Sequence, residues 1–338
     1  ESIIKYEASR MRDLVFDESF LEKEKKIILE EYYYRYDSNY LSKFDLFVRQ
    51  EILAEGHPYA RLVIGEIEDI KSITLADTKQ FYKNYYRPDN SFVIISGNYN
   101  KVEIIKLAKK YYGSIKTTKK KQIKRAKKLT RDNIQKPNNS AIISYDKSTS
   151  LIRYRKYFIL PNIVEDKRLS HLPMFLNYFI SAKKSFLYQK LVEEEGLLLS
   201  INVSSNHYAR YDNVLYFDFI FDDLDKLPRI KEELNKNISL FMKGGFSADD
   251  FNNIKQEYLY NIFYKFESYY SQSFTLMMMY NVMKTKEEFD EYFYSFKKTS
   301  KNDIRKFANY FFKNYRAYEA ILIPETLKKQ FIKNHDTK

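Results

Sequence analysis

The sequence predicts an α+β protein built from two copies of one unit, the first copy truncated at its N-terminus, and three observations predict it. Shifting Phe246–Tyr258 back by 226 lays Phe246, Asp250, Glu257 and Tyr258 on Phe20, Glu24, Glu31 and Tyr32. The same shift carries Thr74, Asp77, Lys79, Phe81, Tyr85 and Tyr86 onto Ser300, Asp303, Arg305, Phe307, Phe311 and Phe312. In both places an apolar, strand-like segment follows, Phe92–Ser96 and Ala320–Ile323. One constant offset in two separated segments marks a duplicated domain. Helical and strand-like segments in this order give two homologous domains, each with helices packed on a mostly antiparallel sheet. The expected boundaries are 1–116 for the C-terminal part of the first domain, 117–140 for a basic linker, 141–325 for the second domain and 326–338 for a polar tail.

Taken in order, residues 3–16 hold a short periodic stretch, Ile3, Ala8, Met11, Leu14 and Val15. Phe20–Tyr34 follows with strong helix formers and no Gly or Pro. Seven residues is about two helical turns, so Glu24 and Glu31 share one face with Phe20, Ile27 and Ile28. Two readings of that face stand side by side. It is a solvated acidic face carrying Glu–Lys pairs, or a carboxylate pair turned toward a core, where charge must be paired or metal-bound. Leu41–Leu53 reads as a second helix, closed by Gly56. Ile67–Lys71 is a short helical turn, and Thr74–Tyr85 a helix with Asp77 at the capping-box position. Phe92–Ser96 reads as a buried strand and Val102–Tyr112 as an amphipathic helix ending at Gly113.

The linker concentrates Lys119, Lys120, Lys121, Lys124, Arg125, Lys127 and Lys128 before Pro137-Asn138-Asn139, the composition of a solvated connector. The second copy then runs complete. Strands are expected at Ala141–Tyr145, Ile152–Leu160, Leu197–Ser204, Val214–Phe221 and Ala320–Ile323. Helices are expected at 166–180, Ser185–Glu194, Asp225–Met242, Ala248–Phe263, Tyr269–Met283 and Asn302–Phe312.

Composition narrows the function. A chain of 338 residues, 44% hydrophobic, is long enough for two cores, and 32 Tyr with 26 Phe fill much of them. No run of eighteen apolar residues is present, hence no transmembrane helix is expected. The absence of cysteine excludes disulfides and thiolate metal sites and leaves the compartment open, bacterial periplasm or cytoplasm favoured. The net charge of +13 invites a nucleic-acid reading. Lys is spread along the whole chain with Asn, Tyr and Ile, the bias of an A+T-rich genome, so no nucleic-acid partner is expected. The start at Glu1 points to a fragment or a processed chain.

Gly56–Ile115 carries a chain of motifs: His57-Pro58-Tyr59, Gly65, Ile70-Lys71-Ser72-Ile73-Thr74, the run Phe81–Asn90, and Ile94-Ile95-Ser96-Gly97-Asn98. Together they resemble the pitrilysin/insulinase family of zinc metallopeptidases, inverted zincins that include mitochondrial processing peptidases and bacterial zinc proteases. The resemblance covers nearly the whole chain. It implies a zinc cofactor held by His-x-x-Glu-His and a downstream Glu, with Glu31 matching that metal ligand and Glu24 the acid that supports it. The motif's own Glu is the general base of the family. The four histidines, His57, His171, His207 and His335, form no such motif, so the resemblance puts the zinc motif upstream of Glu1 and no catalytic residue in this chain. A complete first copy would begin about 85 residues before Glu1 by the same offset. In the second copy the motif positions fall on Leu176, Phe179 and Ile180, which leaves that domain without zinc.

The family's substrate-gripping Arg and Tyr flank a Gly-Leu step, marked here by Glu195-Gly196-Leu197, and the two positions are Val192 and Leu199. The implied function is half of a zinc metalloendopeptidase acting on peptides in an enclosed chamber. The alternative is an inactive partner half that shapes such a chamber. The other half would be the same polypeptide, a partner subunit or a second copy. His57 reads as part of a structural turn, Met277-Met278-Met279 as core filler and Glu193-Glu194-Glu195 as a solvated helix end. By itself the chain is expected to hold no stoichiometric zinc and to cleave no peptide.

Overall fold

Five strands form one sheet in the order β1-β5-β2-β4-β3 in the computed structural model, which describes residues 1–53, 57–116, 141–160, 171–206, 213–283, 285–315 and 317–335. The strands are β1 Ile142–Asp146, β2 Ile152–Leu160, β3 Ser200–Asn206, β4 Asn213–Phe221 and β5 Ala317–Pro324. The helices are α1 Ser2–Arg12, α2 Glu18–Tyr32, α3 Tyr40–Ile52, α4 Ile67–Ser72, α5 Leu75–Tyr85, α6 Lys101–Tyr112, α7 Leu172–Ser181 and the short α8 Phe186–Tyr188. They continue as α9 Leu227–Met242, α10 Ala248–Lys265, α11 Tyr269–Met283, α12 Lys286–Lys298, α13 Lys301–Asn314 and α14 Lys328–His335. Gly56, the linker 117–140, the start of the expected 166–180 helix and His207 lie outside the described residues.

The chain divides into two compact units. The second takes Tyr40–Ala60, Lys128–Lys265 and Met278–Lys338. Its sheet is mostly antiparallel, as the sequence predicts: only β1 runs parallel to its neighbour β5, Ile142 opposite Ala320. β2 pairs antiparallel with β5 and β4, and β3 with β4. Side chains alternate across a strand, and in β2 the alternation sorts two cores. Ile152, Tyr154 and Phe158 face a helix layer that includes Phe175 and Leu176 of α7, Leu234 and Phe241 of α9, Phe251 of α10 and Phe311 of α13. Tyr157 and Ile159 face the other way, onto α3.

The α3 side explains a helix that is contiguous in sequence with the first copy. Phe44, Val48 and Ile52 recur every fourth residue, one face of a helix. All three are buried against Tyr157, Ile159, Val214, Tyr318, Ala320 and Leu322. The sheet's two arginines on this side are held by acids. Asp218 of β4 accepts from Arg153 and, at 2.9 Å, from Arg155 Nε, while Arg155 Nη1 reaches Asp45 of α3. The Arg155 guanidinium also lies 4.9 Å from the Tyr216 ring centre and 5.5 Å from that of Phe44. Burial acts against its charge, and Tyr157, Asp218 and Asp45 overcome that effect and raise its pKa.

The first unit takes Glu1–Asn39, Arg61–Lys127 and Phe266–Met277. Its helices repeat local chemistry of the second copy at the offset of 226. Thr74 and Asp77 close a capping box on α5, and Ser300 and Asp303 close the same box on α13. Lys25 of α2 donates to the Lys71 carbonyl at 3.2 Å, and Lys255 of α10, one helical turn past the position equivalent to Lys25, donates at 2.8 Å to the carbonyl of Lys297, the equivalent of Lys71.

Phe92–Ser96 departs from expectation. It is neither a ladder strand nor buried. Its equivalent in the second copy lies in β5, which is held between β1 and β2. Shifted by 226, β1 to β4 all fall before Glu1, so the described residues offer this segment no strand to bond. Two other differences have plain causes. α12 is nucleated by Thr285, whose hydroxyl caps the Glu288 N–H, and carries acids in its first turn and lysines in its last, in favour of the helix dipole. Within 326–338, read from sequence as a polar tail, Lys328–His335 are helical as α14, with Phe331 buried beside Tyr145.

His171, at the N-terminus of α7, is buried with Nε2 3.1 Å from Ser295 Oγ, and burial lowers its pKa to about 4. The folded state therefore binds the proton less readily than the unfolded chain. Stability is full above the ordinary histidine value of about 6.5 and is lost as pH falls toward 4. That window spans about 3 kcal/mol at about 1.4 kcal/mol per unit. Urea midpoints of His171→Gln should show a shallower fall than the parent between pH 6.5 and 4. Parallel curves would contradict this origin.

Candidate functional site

The acidic helix α2 starts where Asp17 accepts the N–H groups of Ser19 at 2.8 Å and Phe20 at 3.3 Å. Those bonds, the Ser19 hydroxyl first, hold the Asp17 carboxyl below its ordinary range. After Tyr32 the helix widens into a π-turn, Tyr33–Asp37. Glu24 and Glu31 are both exposed, and Glu31 pairs with Arg35 one turn on, at 2.8 Å. No residue of α2 is buried. Phe20 is 67% exposed, whereas its equivalent Phe246 is 4% exposed in the core of the second unit. The face shared by the two acids is thus an uncovered one among the described residues, and the two carboxylates do not enter a common cleft there.

The acids of the second copy have other work. Asp250, the equivalent of Glu24, caps α10 by accepting from Ser247 N–H at 2.9 Å, which together with the Ser247 hydroxyl lowers its pKa. Glu257, the equivalent of Glu31, is exposed. On α7, Leu176 and Ile180 are fully buried in the helix-layer core and Phe179 packs against it. The positions of a zinc motif are there filled by apolar packing.

A hydrolytic zinc takes about three protein ligands and one open position. Among the described residues no three His, Cys, Asp or Glu side chains come together in a way that could hold a metal. His57 Nδ1 accepts the Tyr59 N–H at 3.1 Å, and burial lowers its pKa, as befits a turn residue. His171 faces Ser295, and the side chains of His207 and His335 lie outside the described residues. One carboxylate with an arginine partner does not fit zinc by itself.

The glycine step is a well-defined turn. Gly196 has φ +57°, in the left-handed region that favours glycine. Lys226 donates to its carbonyl at 3.2 Å, and Arg229 pairs with Glu195 at 2.9 Å. On either side stand Val192, half-buried against the core, and Leu199, which is exposed. Neither side chain can donate to a peptide carbonyl. The described cations nearest in sequence, Lys190 and Lys226, are held by Glu233 at 2.9 Å and Asp222 at 2.7 Å. Sequence reasoning missed the acids that hold the buried arginines. A strand alternating Arg153, Arg155 and Tyr157 on one side was the available signal, since charge on a covered sheet face requires partners.

Comparison with known proteins follows from this geometry. Residues 72–258, more than half of the chain, match the family described as Peptidase M16 inactive domain. The zinc protease PqqE of Helicobacter pylori is 31% identical over 118 residues, 34% of this chain and 26% of that protein. A probable mitochondrial-processing peptidase subunit beta of Schizosaccharomyces pombe is 38% identical over 61 residues, 18% of this chain and 13% of that protein. The matched stretches are thus 26% and 13% of those relatives' lengths. A solved protease from Helicobacter pylori shares the fold, with a TM-score of 0.76 at 20% identity over 95% of this chain and 76% of that one. With a mixed helix-and-sheet fold shared with that protease and a family match over more than half its length, this chain belongs to the Peptidase M16 inactive domain family.

Proposed function

We propose that the chain is one half of a zinc-dependent metalloendopeptidase acting on peptides, and that the His-x-x-Glu-His segment lies before Glu1 in the native protein. The carrying observation is the uncovered face of α2. Phe20 stands on the side of α2 that carries Glu24 and Glu31 and is 67% exposed, whereas its equivalent Phe246 is buried in a core, so this side of α2 suits a layer that would bring further ligands to Glu31. Glu31 would then be the carboxylate ligand of zinc, with Glu24 supporting it. When bound, zinc would supply Lewis-acid activation of water. The other half, as the same polypeptide, a partner subunit or a second copy, would carry the grip on peptide carbonyls that Val192 and Leu199 cannot provide.

A second reading, an inactive partner half, is favoured by one finding: the matched family description is that of the inactive domain. Metal analysis and a quenched-peptide assay on the native-length protein separate the two. One zinc per chain and chelator-sensitive cleavage are expected, with Glu31→Gln lowering both at least tenfold and Glu24→Gln about 10- to 100-fold in affinity or activity. The 338-residue chain should hold no stoichiometric zinc. A native-length protein without zinc or turnover would establish the inactive half instead.

A further inference from the structure

One charged side chain stands in the row of β2 that faces the helix layer, and the peptidase reading makes no use of it. Lys156 lies between Tyr154 and Phe158 in that row, opposite Phe217 of β4 and Glu319 of β5. Tyr154 and Phe217 are fully buried, and the Lys156 side chain is only 14% exposed. Helix α9 contributes Asn235, whose Oδ1 accepts from Lys156 Nζ at 2.8 Å. It also contributes Lys231, four residues earlier and so on the same face of the helix.

The cluster sets two amines against one carboxylate. Glu319 Oε2 accepts from Lys231 Nζ at 2.6 Å, and its Oε1 accepts from the Tyr154 hydroxyl at 2.9 Å. Lys156 Nζ stands 3.9 Å from that same Oε1, at the outer limit of an ion pair, and its close partner is the neutral Asn235. Lys231 also lies 5.2 Å from the centre of the Tyr154 ring. Glu319 is thus committed first to Lys231. Two like charges that share one carboxylate in a half-buried place favour the loss of one proton. The lysine further from the acid is the one to lose it. Burial lowers the Lys156 pKa, Glu319 opposes that effect and Lys231 adds to it.

We propose that Lys156 is an acylation site that takes its acyl group from a small acyl phosphate. A neutral amine is a nucleophile, and an ammonium group is not. The Nζ lone pair attacks the acyl carbon and forms the amide bond as the bond from that carbon to the phosphate oxygen breaks. Phosphate leaves with the electron pair of the broken bond, and the proton lost from Nζ ends on it. An anionic donor suits a cluster whose amines outnumber its carboxylate, and Lys231, the more exposed of the two at 32%, meets it first. The narrow opening over Lys156 admits a small molecule rather than the active site of a protein acyltransferase. The product is also better balanced in charge, since an amide at Lys156 leaves Lys231 and Glu319 as one pair.

The test treats the 338-residue chain with acetyl phosphate between about pH 6 and 10 and follows each lysine by mass spectrometry. Lys236, well exposed on α9, is the reference. Acetylation of Lys156 should level off at a lower pH than that of Lys236. Lys231→Met gives Lys156 the whole of Glu319 and should slow its acetylation near neutral pH at least threefold, with Lys236 unchanged. Lys231→Arg keeps the like charge and should keep the faster rate. Acetic anhydride, a neutral donor, forms the second arm, and the ratio of Lys156 to Lys236 labelling should be higher with acetyl phosphate. A Lys156 that acetyl phosphate leaves unmodified, or whose pH profile coincides with that of Lys236, would overturn the inference. So would an unchanged rate in Lys231→Met, or labelling by the anhydride alone. If Lys231→Met does not fold, the two pH profiles of the parent chain decide.

Discussion

Residues 141–338 produced without the 140 residues before them, α3 included, should aggregate rather than fold as a monomer. Removing α3 bares Tyr157, Ile159, Val214, Tyr318, Ala320 and Leu322 on one side of the sheet. Burial of Phe44, Val48 and Ile52 contributes about 1.5–3 kcal/mol for each side chain. The total is comparable to the whole stability of a typical domain, about 5–15 kcal/mol. Arg155 loses Asp45 at the same stroke. A peptide spanning Asn39–Ala60, added in trans during refolding, should recover soluble monomer by size-exclusion chromatography. A soluble 141–338 fragment with a cooperative melt close to that of the full chain would show that α3 is not required.

Asp218→Asn should destabilise the chain by about 3–5 kcal/mol, because it leaves two arginines on a covered sheet face with too few acids. Arg153 and Arg155 both donate to Asp218, and the Arg155 and Asp218 side chains are almost wholly buried. The guanidinium has no escape by deprotonation, since its pKa is raised further in the folded chain by the groups that hold it. A cycle with Arg155→Met separates loss of the pair from general damage to the core. The double variant should be markedly more stable than the two single losses add up to, because the orphaned charge has gone with its partner. Urea midpoints within about 1 kcal/mol of the parent for Asp218→Asn alone would remove the network from the list of what holds the sheet together.

Much of this was legible in the sequence, for reasons that differ by element. β2 was found at its full length, because its β-branched and aromatic residues favour a strand locally whatever lies beside it. The capping boxes at Thr74–Asp77 and Ser300–Asp303 are short-range hydrogen bonds, and the offset of 226 located both. The family followed from loop motifs, and the comparisons bear it out. What the sequence could not supply was partnership. Phe92–Ser96 has the composition of a strand, and composition does not supply a neighbouring edge. Leu41–Leu53 was read as a helix, but nothing within it says which sheet its stripe covers. For the candidate site, helical spacing put Glu24 and Glu31 on one face. Whether that face meets ligands depends on residues distant in sequence, which helical periodicity does not report.

The position of α3 also sets the order in which this protein can be completed during its own synthesis. Phe44, Val48 and Ile52 leave the ribosome early, yet part of the face that receives them, Tyr318, Ala320 and Leu322 of β5, is made some 270 residues later. At about 5–20 residues per second, that interval is on the order of tens of seconds. Throughout it an aromatic and aliphatic helix stripe waits without its cover, exposed to other nascent chains. Contacts so far apart in sequence also slow the closing step itself. A chain threaded in this way depends on whatever shields its early helix, and its yield should follow chaperone supply more closely than its final stability.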